Sequence, residues 1–172
     1  MEGALFDGIT AQKPSPLGIR DAWNTAYGVN VTGTQVMAHV SVPLLLKSKD
    51  PRLLFVISGL SSLANCSTGR VPVSQKGGVS VGWPKPPEPS VITYRASKAA
   101  LNMLMLDWVR LKVWAISPGF LTTGLGGVGA ETMKEHGAGD PAFAGRFIKD
   151  VAEGVRDEDV GKVINRDGVD AW

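Results

Sequence analysis

Apolar positions along the chain recur first at near-helical spacing and then gather into short unbroken runs. Trp23, Ala26, Tyr27, Val31, Thr34, Val36 and Val40 follow a spacing close to 3.6 residues, which predicts a helix from Asp21 to about Lys47. Pro43 lies near its end, where the missing N–H is expected to kink or close it. Leu53-Leu54-Phe55-Val56-Ile57 is continuous and apolar between Asp50-Pro51 and Gly59, the pattern of a strand buried on both faces of a parallel sheet. Ala96 to Leu111, dense in Ala, Leu and Met, is the clearest helix, and Lys112 to Ile116 is a second strand. No glycine, proline or asparagine separates the two, so the usual helix-stop signals are missing there. Ala142 to about Val155 reads as a further helix with Asp140-Pro141 as cap and first turn. Gly161-Lys162-Val163-Ile164-Asn165 is a short last strand.

Between these elements the punctuation is heavy. Residues 1–19 carry Gly3, Gly8, Pro14, Pro16 and Gly18 and read as loop or tail. Residues 65–93, rich in proline and glycine, read as an insertion loop, and Gly119 to Gly139 as a glycine-rich loop. Strands alternating with helices predict an α/β fold: a parallel sheet flanked by helices, with residues 1–172 as one domain.

Composition narrows the function classes. A chain of 172 residues is long enough to bury about 68–70% of its unfolded surface. A net charge of +2 with scattered basic residues gives no footprint for nucleic acid. Cys66 is the only cysteine, which excludes an internal disulfide and a thiolate metal cluster, and no metal site is expected. The start, Met1-Glu2-Gly3-Ala4-Leu5-Phe6-Asp7, lacks the basic and apolar regions of a signal peptide. No apolar run approaches the ~18 residues of a membrane span. A soluble cytoplasmic protein without a membrane partner is the expectation.

The chemistry concentrates in Tyr94-Arg95-Ala96-Ser97-Lys98. Helical residues four apart share a face, so the Lys98 ammonium can lie beside the Tyr94 phenol, lower its pKa and help it exchange a proton near neutral pH. The bland alternative is a solvated lysine beside an ordinary tyrosine. The order of neighbouring signals bears on the choice. Asn30-Val31-Thr32-Gly33 comes first, then the apolar run delivering Ser58. Tyr94 and Lys98 follow, and Lys112 to Ile116 then runs into Ser117-Pro118-Gly119-Phe120-Leu121-Thr122-Thr123.

These four signals, in this order, resemble the short-chain dehydrogenase/reductase family from about Asp21 to Trp172. Gly82-Trp83-Pro84-Lys85-Pro86 and Ala115-Ile116-Ser117-Pro118-Gly119-Phe120 are similar to the wording of versions found in filamentous fungi. The resemblance implies a Rossmann-like fold and an oxidoreductase dependent on NADP or NAD, acting on a small-molecule carbonyl or secondary alcohol. It casts Tyr94 as acid/base, Lys98 as its activator and a ligand of the nicotinamide ribose, Ser58 as anchor of the substrate carbonyl, and Asn30 as holder of a water in the proton relay. Gly119, Leu121 and Thr123 would meet the nicotinamide side of the cofactor, together with Tyr94 and Lys98. Ser61 and Ser62 are close enough to Ser58 to compete for its role, and Ser58 is favoured as the residue leaving the strand. The helices of Asn30 and Tyr94 form dimer interfaces in that family, which implies a homo-oligomer.

One part of the family pattern is missing. Its opening strand, Thr-Gly-x-x-x-Gly-x-Gly turn and helix have no counterpart between Met1 and Arg20, so the chain resembles the C-terminal part of a doubly wound fold without the half that grips the cofactor. Cofactor binding by this truncated form is therefore doubtful. The alternative to an enzyme is an inactive remnant that works only through protein–protein association. Gly124-Leu125-Gly126-Gly127-Val128-Gly129 matches a dinucleotide fingerprint by letter. Such a turn must leave a strand directly, and here Pro118-Gly119 and two threonines intervene, so a substrate-side loop is the better reading.

Overall fold

The computed structural model describes residues 15–68, 91–108, 110–125 and 129–172. Three segments of a nearly continuous helix come first: α1 (Pro16–Tyr27), a π-helical stretch (Gly28–Gly33) and α2 (Thr34–Leu45). The Ser15 hydroxyl caps α1 by accepting from the Gly18 N–H, and Pro16 sits at its first position, where a missing N–H costs nothing. The helix thus begins five residues before the expected Asp21. Residues 1–14 of the expected tail, and 69–90 of the expected insertion loop, lie outside the described residues. Pro43 stays inside α2, which ends two residues later, as a proline near a helix end should allow.

Strand β1 (Arg52–Val56) leads through a 3₁₀ turn (Gly59–Ser61) into the short helix α3 (Leu63–Ser67). Then come α4 (Ile92–Asp107), β2 (Lys112–Ile116), α5 (Ala130–Glu135), α6 (Pro141–Ala152), a 3₁₀ turn (Asp157–Asp159), β3 (Val163–Asn165) and β4 (Gly168–Asp170). Helix α6 carries the expected cap, with the Asp140 carboxylate accepting from the Ala142 N–H. The sheet order is β1-β2-β3-β4, parallel through β3. β4 pairs antiparallel with β3, so the sheet is mixed rather than wholly parallel. The Asn165 side chain closes this hairpin by accepting from the Asp167 and Gly168 N–H groups, the local turn chemistry of asparagine.

Side chains of β2 alternate between two cores. Val113 and Ala115 face α2 and α4 with Phe55, Leu101 and Met105; Trp114 and Ile116 face α6 with Phe147 and Val151. The indole N–H of the fully buried Trp114 donates to the Arg156 carbonyl at 2.9 Å. β1 was expected to be buried on both faces. Only Phe55 within it is buried and Val56 is 45% exposed, because β1 is an edge strand with β2 as its one partner among the described residues. At the opposite end of these strands an ionic cluster ties Arg52 and Lys112 to Asp50 and Asp157.

Candidate active site

Ser58 leaves the carboxyl end of β1 in extended conformation, and its hydroxyl accepts from the Leu60 N–H at 3.2 Å. Tyr94 lies in the first turn of α4, with the Ser58 side chain close enough to the phenol to favour its ionised form. Helix α4 thus delivers the phenol to the end of the sheet where open α/β folds place their ligands. Ser61 and Ser62, the other candidates for this role, are buried and committed to backbone. The Ser61 hydroxyl donates to the Ser58 carbonyl at 2.6 Å, and that of Ser62 donates to the Trp172 carbonyl at 3.0 Å.

Lys98 lies one turn after Tyr94 on the same face, with Nζ 5.8 Å from the centre of the phenol ring. That ammonium donates to the Val56 carbonyl at 2.8 Å. It therefore pins α4 to the end of β1 and does not touch the phenol oxygen. The electrostatics follow from this placement and differ from the sequence-based expectation of a lowered phenol. Burial pushes the Tyr94 pKa up, partly offset by the hydrogen bond from Ser58, and burial pushes the Lys98 ammonium down. Tyr94 is held as a neutral phenol, a proton donor.

Asn30 lies in the π-helical stretch, a departure from α geometry that is frequent at functional sites. Its Nδ2 donates to Ser97 Oγ at 2.9 Å, and Ser97 Oγ donates to the Tyr94 carbonyl at 2.8 Å. Ser97 is completely buried. Asn30 therefore couples, through Ser97, to the helix backbone beneath Tyr94. Ser97 was legible only as part of the Tyr-x-x-Ser-Lys spelling, and no pattern in the chain pairs it with Asn30.

The five cofactor candidates do not share one place. Gly119 and Leu121 line a cleft of about 380 Å³ with Gly59, Pro118 and Phe143, beside Ser58. Gly119 has φ of +95° and open space where a Cβ would stand, so the chain turns sharply there and keeps the cleft clear. Thr123 lies outside that cleft, exposed, with its hydroxyl accepting from the Leu125 N–H. Gly126 to Val128 of the letter-matched fingerprint lie outside the described residues. A larger apolar groove of about 510 Å³ runs between α2 and β1, lined in part by Val29, Met37 and Phe55. Among the described residues no three His, Cys, Asp or Glu side chains are grouped to hold a metal, and no helix is long and apolar enough to cross a membrane.

No protein-family model matches the chain. A short-chain dehydrogenase/reductase of Talaromyces stipitatus, tropE, is 47% identical over 167 residues, covering 94% of this chain and 62% of that protein. Another from Phoma sp., eupG, is 40% identical over 184 residues, covering 99% of this chain and 64% of its own length. The chain thus spans about three fifths of the curated relatives it matches, and both relatives are fungal. Among solved structures, the NADPH-bound carbonyl reductase from chicken fatty liver aligns with a TM-score of 0.63 at 18% identity, over 92% of this chain and 58% of that one. Carbonyl reductase Sniffer of D. melanogaster aligns at 0.60 and 20% identity, over 95% and 60%. These likenesses establish the Rossmann-like α/β fold. By sequence over nearly all its length, and by that fold, the chain belongs to the short-chain dehydrogenase/reductase family.

Proposed function

We propose that this chain carries the proton-transfer half of an NADP- or NAD-dependent oxidoreductase acting on a small-molecule carbonyl or secondary alcohol. The observation that carries the reading is the gathering of Ser58, Tyr94 and Lys98 at the carboxyl end of β1, with Lys98 bonded to the Val56 carbonyl and the Tyr94 pKa raised by burial. In the reductive direction Tyr94 gives its proton to the carbonyl oxygen while Ser58 donates a hydrogen bond to the same oxygen as charge develops. Lys98 holds α4 against β1 and would be the residue that holds the nicotinamide ribose of a bound cofactor. Asn30 fixes, through Ser97, the turn of α4 from which Tyr94 projects, and holds the water of the proton relay.

A nicotinamide dinucleotide fits the described residues at one end. Gly119 and Leu121 offer an open cleft for the nicotinamide, and Lys98 lies one turn from Tyr94 on the same helix face; Thr123, outside the cleft, would meet the cofactor beyond it. Bound there, the cofactor supplies or accepts a hydride. Among the described residues, no glycine-rich turn passes directly from a strand end into a helix N-terminus: Ser58 to Ser62, with a single glycine, lead from β1 to α3, and the connection from β2 to α5 is long. The test is NADPH oxidation with a panel of aldehydes and ketones. It compares the native chain with Tyr94→Phe, each alone and each joined to the part of the Talaromyces relative that the chain does not match. Turnover should fall ~10²–10⁴-fold in Tyr94→Phe. Equal turnover would remove Tyr94 from the mechanism.

A second reading, association without catalysis, draws on the open β1 edge and on Val36, Met37, Val40 and Leu44, all exposed on α2. On either reading we propose a homo-oligomer formed through the helices of Asn30 and Tyr94, where Met103 and Leu106 add exposed apolar surface on α4.

A further inference from the structure

The turn that carries Ser58 is fastened from three sides. Within itself, the Ser61 hydroxyl donates to the Ser58 carbonyl, closing the 3₁₀ turn. From α4, Arg95 donates through Nε to the Leu60 carbonyl at 3.1 Å and through Nη2 to Cys66 Sγ at 2.8 Å. The third fastening comes from the residues after β4, the opposite edge strand from β1. The Trp172 carbonyl accepts from Ser62 Oγ at 3.0 Å and from the Ala64 N–H at 2.7 Å.

Ser62 is 4% exposed, and its hydroxyl also caps α3 by accepting from the Asn65 N–H. Without the Trp172 carbonyl the Ser62 O–H and the Ala64 N–H would both lose the partner that ties this segment to the residues after β4, and the segment would be free to move. Only a 3₁₀ turn of three residues separates Ser62 from Ser58, so little of that movement can be absorbed before it reaches the Ser58 hydroxyl. We propose that the Trp172 carbonyl and the Ser62 hydroxyl form a positioning clamp that aims Ser58 at Tyr94. Ser62 and Trp172 are thus positioning groups for a site they do not enter. The proposal deepens the oxidoreductase reading and rests on it for its functional meaning, though the geometry can be tested apart from activity.

The test is the spectroscopic titration of the phenol in a Tyr27→Phe background, where Tyr94 is the sole tyrosine. Ser58→Ala removes the donor that favours the phenolate and should move the titration up. Ser62→Ala, and separately the deletion of Ala171 and Trp172, should each move it in the same direction, and neither should add to the shift in a Ser58→Ala background. Ser62→Thr, which keeps the hydroxyl, should restore the native titration. The two clamp variants differ in that only Ser62→Ala also removes the α3 cap. If the shortened chain fails to fold, Ser62→Ala with its Thr rescue decides. An unchanged titration, a downward shift, or an upward shift that persists on top of Ser58→Ala would overturn the clamp. Absence of turnover would sink the oxidoreductase reading and leave this titration interpretable.

Discussion

Removing the hydrogen bond between Asn30 and Ser97 should loosen the foundation of Tyr94 by an amount the structure lets us work out. The Asn30 Nδ2 to Ser97 Oγ contact is 2.9 Å and part-buried, a geometry worth a net ~1 kcal/mol. Asn30→Ala also replaces a poor helix former with the best one, which returns up to ~0.7 kcal/mol. The single variant will therefore look nearly neutral, although the contact is real. Ser97→Ala removes this bond and the one to the Tyr94 carbonyl as well, and should cost more, about 1–2 kcal/mol. A double-mutant cycle cancels the propensity change and leaves the pair itself. Urea unfolding of the native chain, both singles and the double should give a coupling of ~1 kcal/mol, or roughly 2–4 °C in Tm for a chain of this size. Additivity within ~0.3 kcal/mol would show that the contact contributes nothing and that Asn30 does not support α4.

Three further outcomes are expected. The carboxyls of Asp50, Asp157 and Asp159 are held below the usual range by hydrogen bonds from Lys112, Arg52 and Lys162 respectively. Their stabilisation is complete above the unfolded carboxylate pKa of ~3.9 and is lost as pH falls through the depressed folded values. Urea unfolding across an acid series should show that loss, and Asp157→Asn should flatten it; an identical acid slope in the variant would refute the assignment. NADPH and NADH should bind the chain alone more weakly than micromolar, since the described residues offer no phosphate cradle; a micromolar fluorescence titration with either would contradict this. Sedimentation across a concentration series should show self-association that Met37→Glu weakens, and a monodisperse native monomer would remove the α2 face as an interface.

Much of the fold was legible in the chain because periodicity reports burial. The run from Lys112 to Ile116 is nearly all buried in β2, and Asp140-Pro141 caps α6 as the local chemistry requires. Three features were not legible, each for a physical reason. The start at Pro16 depends on one serine capping one N–H, which heavy Pro/Gly punctuation hid. β4 is three residues of alternating polarity made by the Asn165 turn, too short to leave a period. The exposure of Val56 depends on which strand lies beside β1, a long-range fact absent from the local pattern. At the candidate site, spacing brought Tyr94 and Lys98 to one face, and the resemblance added Ser58 and Asn30. The sign of the Tyr94 shift was missed because it turns on where the Lys98 ammonium goes. That ammonium goes to the Val56 carbonyl, which leaves burial to dominate.

The central claim is that Tyr94 transfers the proton in a hydride-transfer reaction at this site, and isotope transfer tests it most directly. The chain, joined to the unmatched part of its Talaromyces relative, is incubated with NADPH deuterated at the transferable position and a panel of ketones, and the alcohols are weighed by mass spectrometry. Deuterated alcohol from the native sequence, with none above background from Tyr94→Phe, is the expected result. Equal labelling by Tyr94→Phe, or no labelling by the native sequence with any ketone, would contradict the claim.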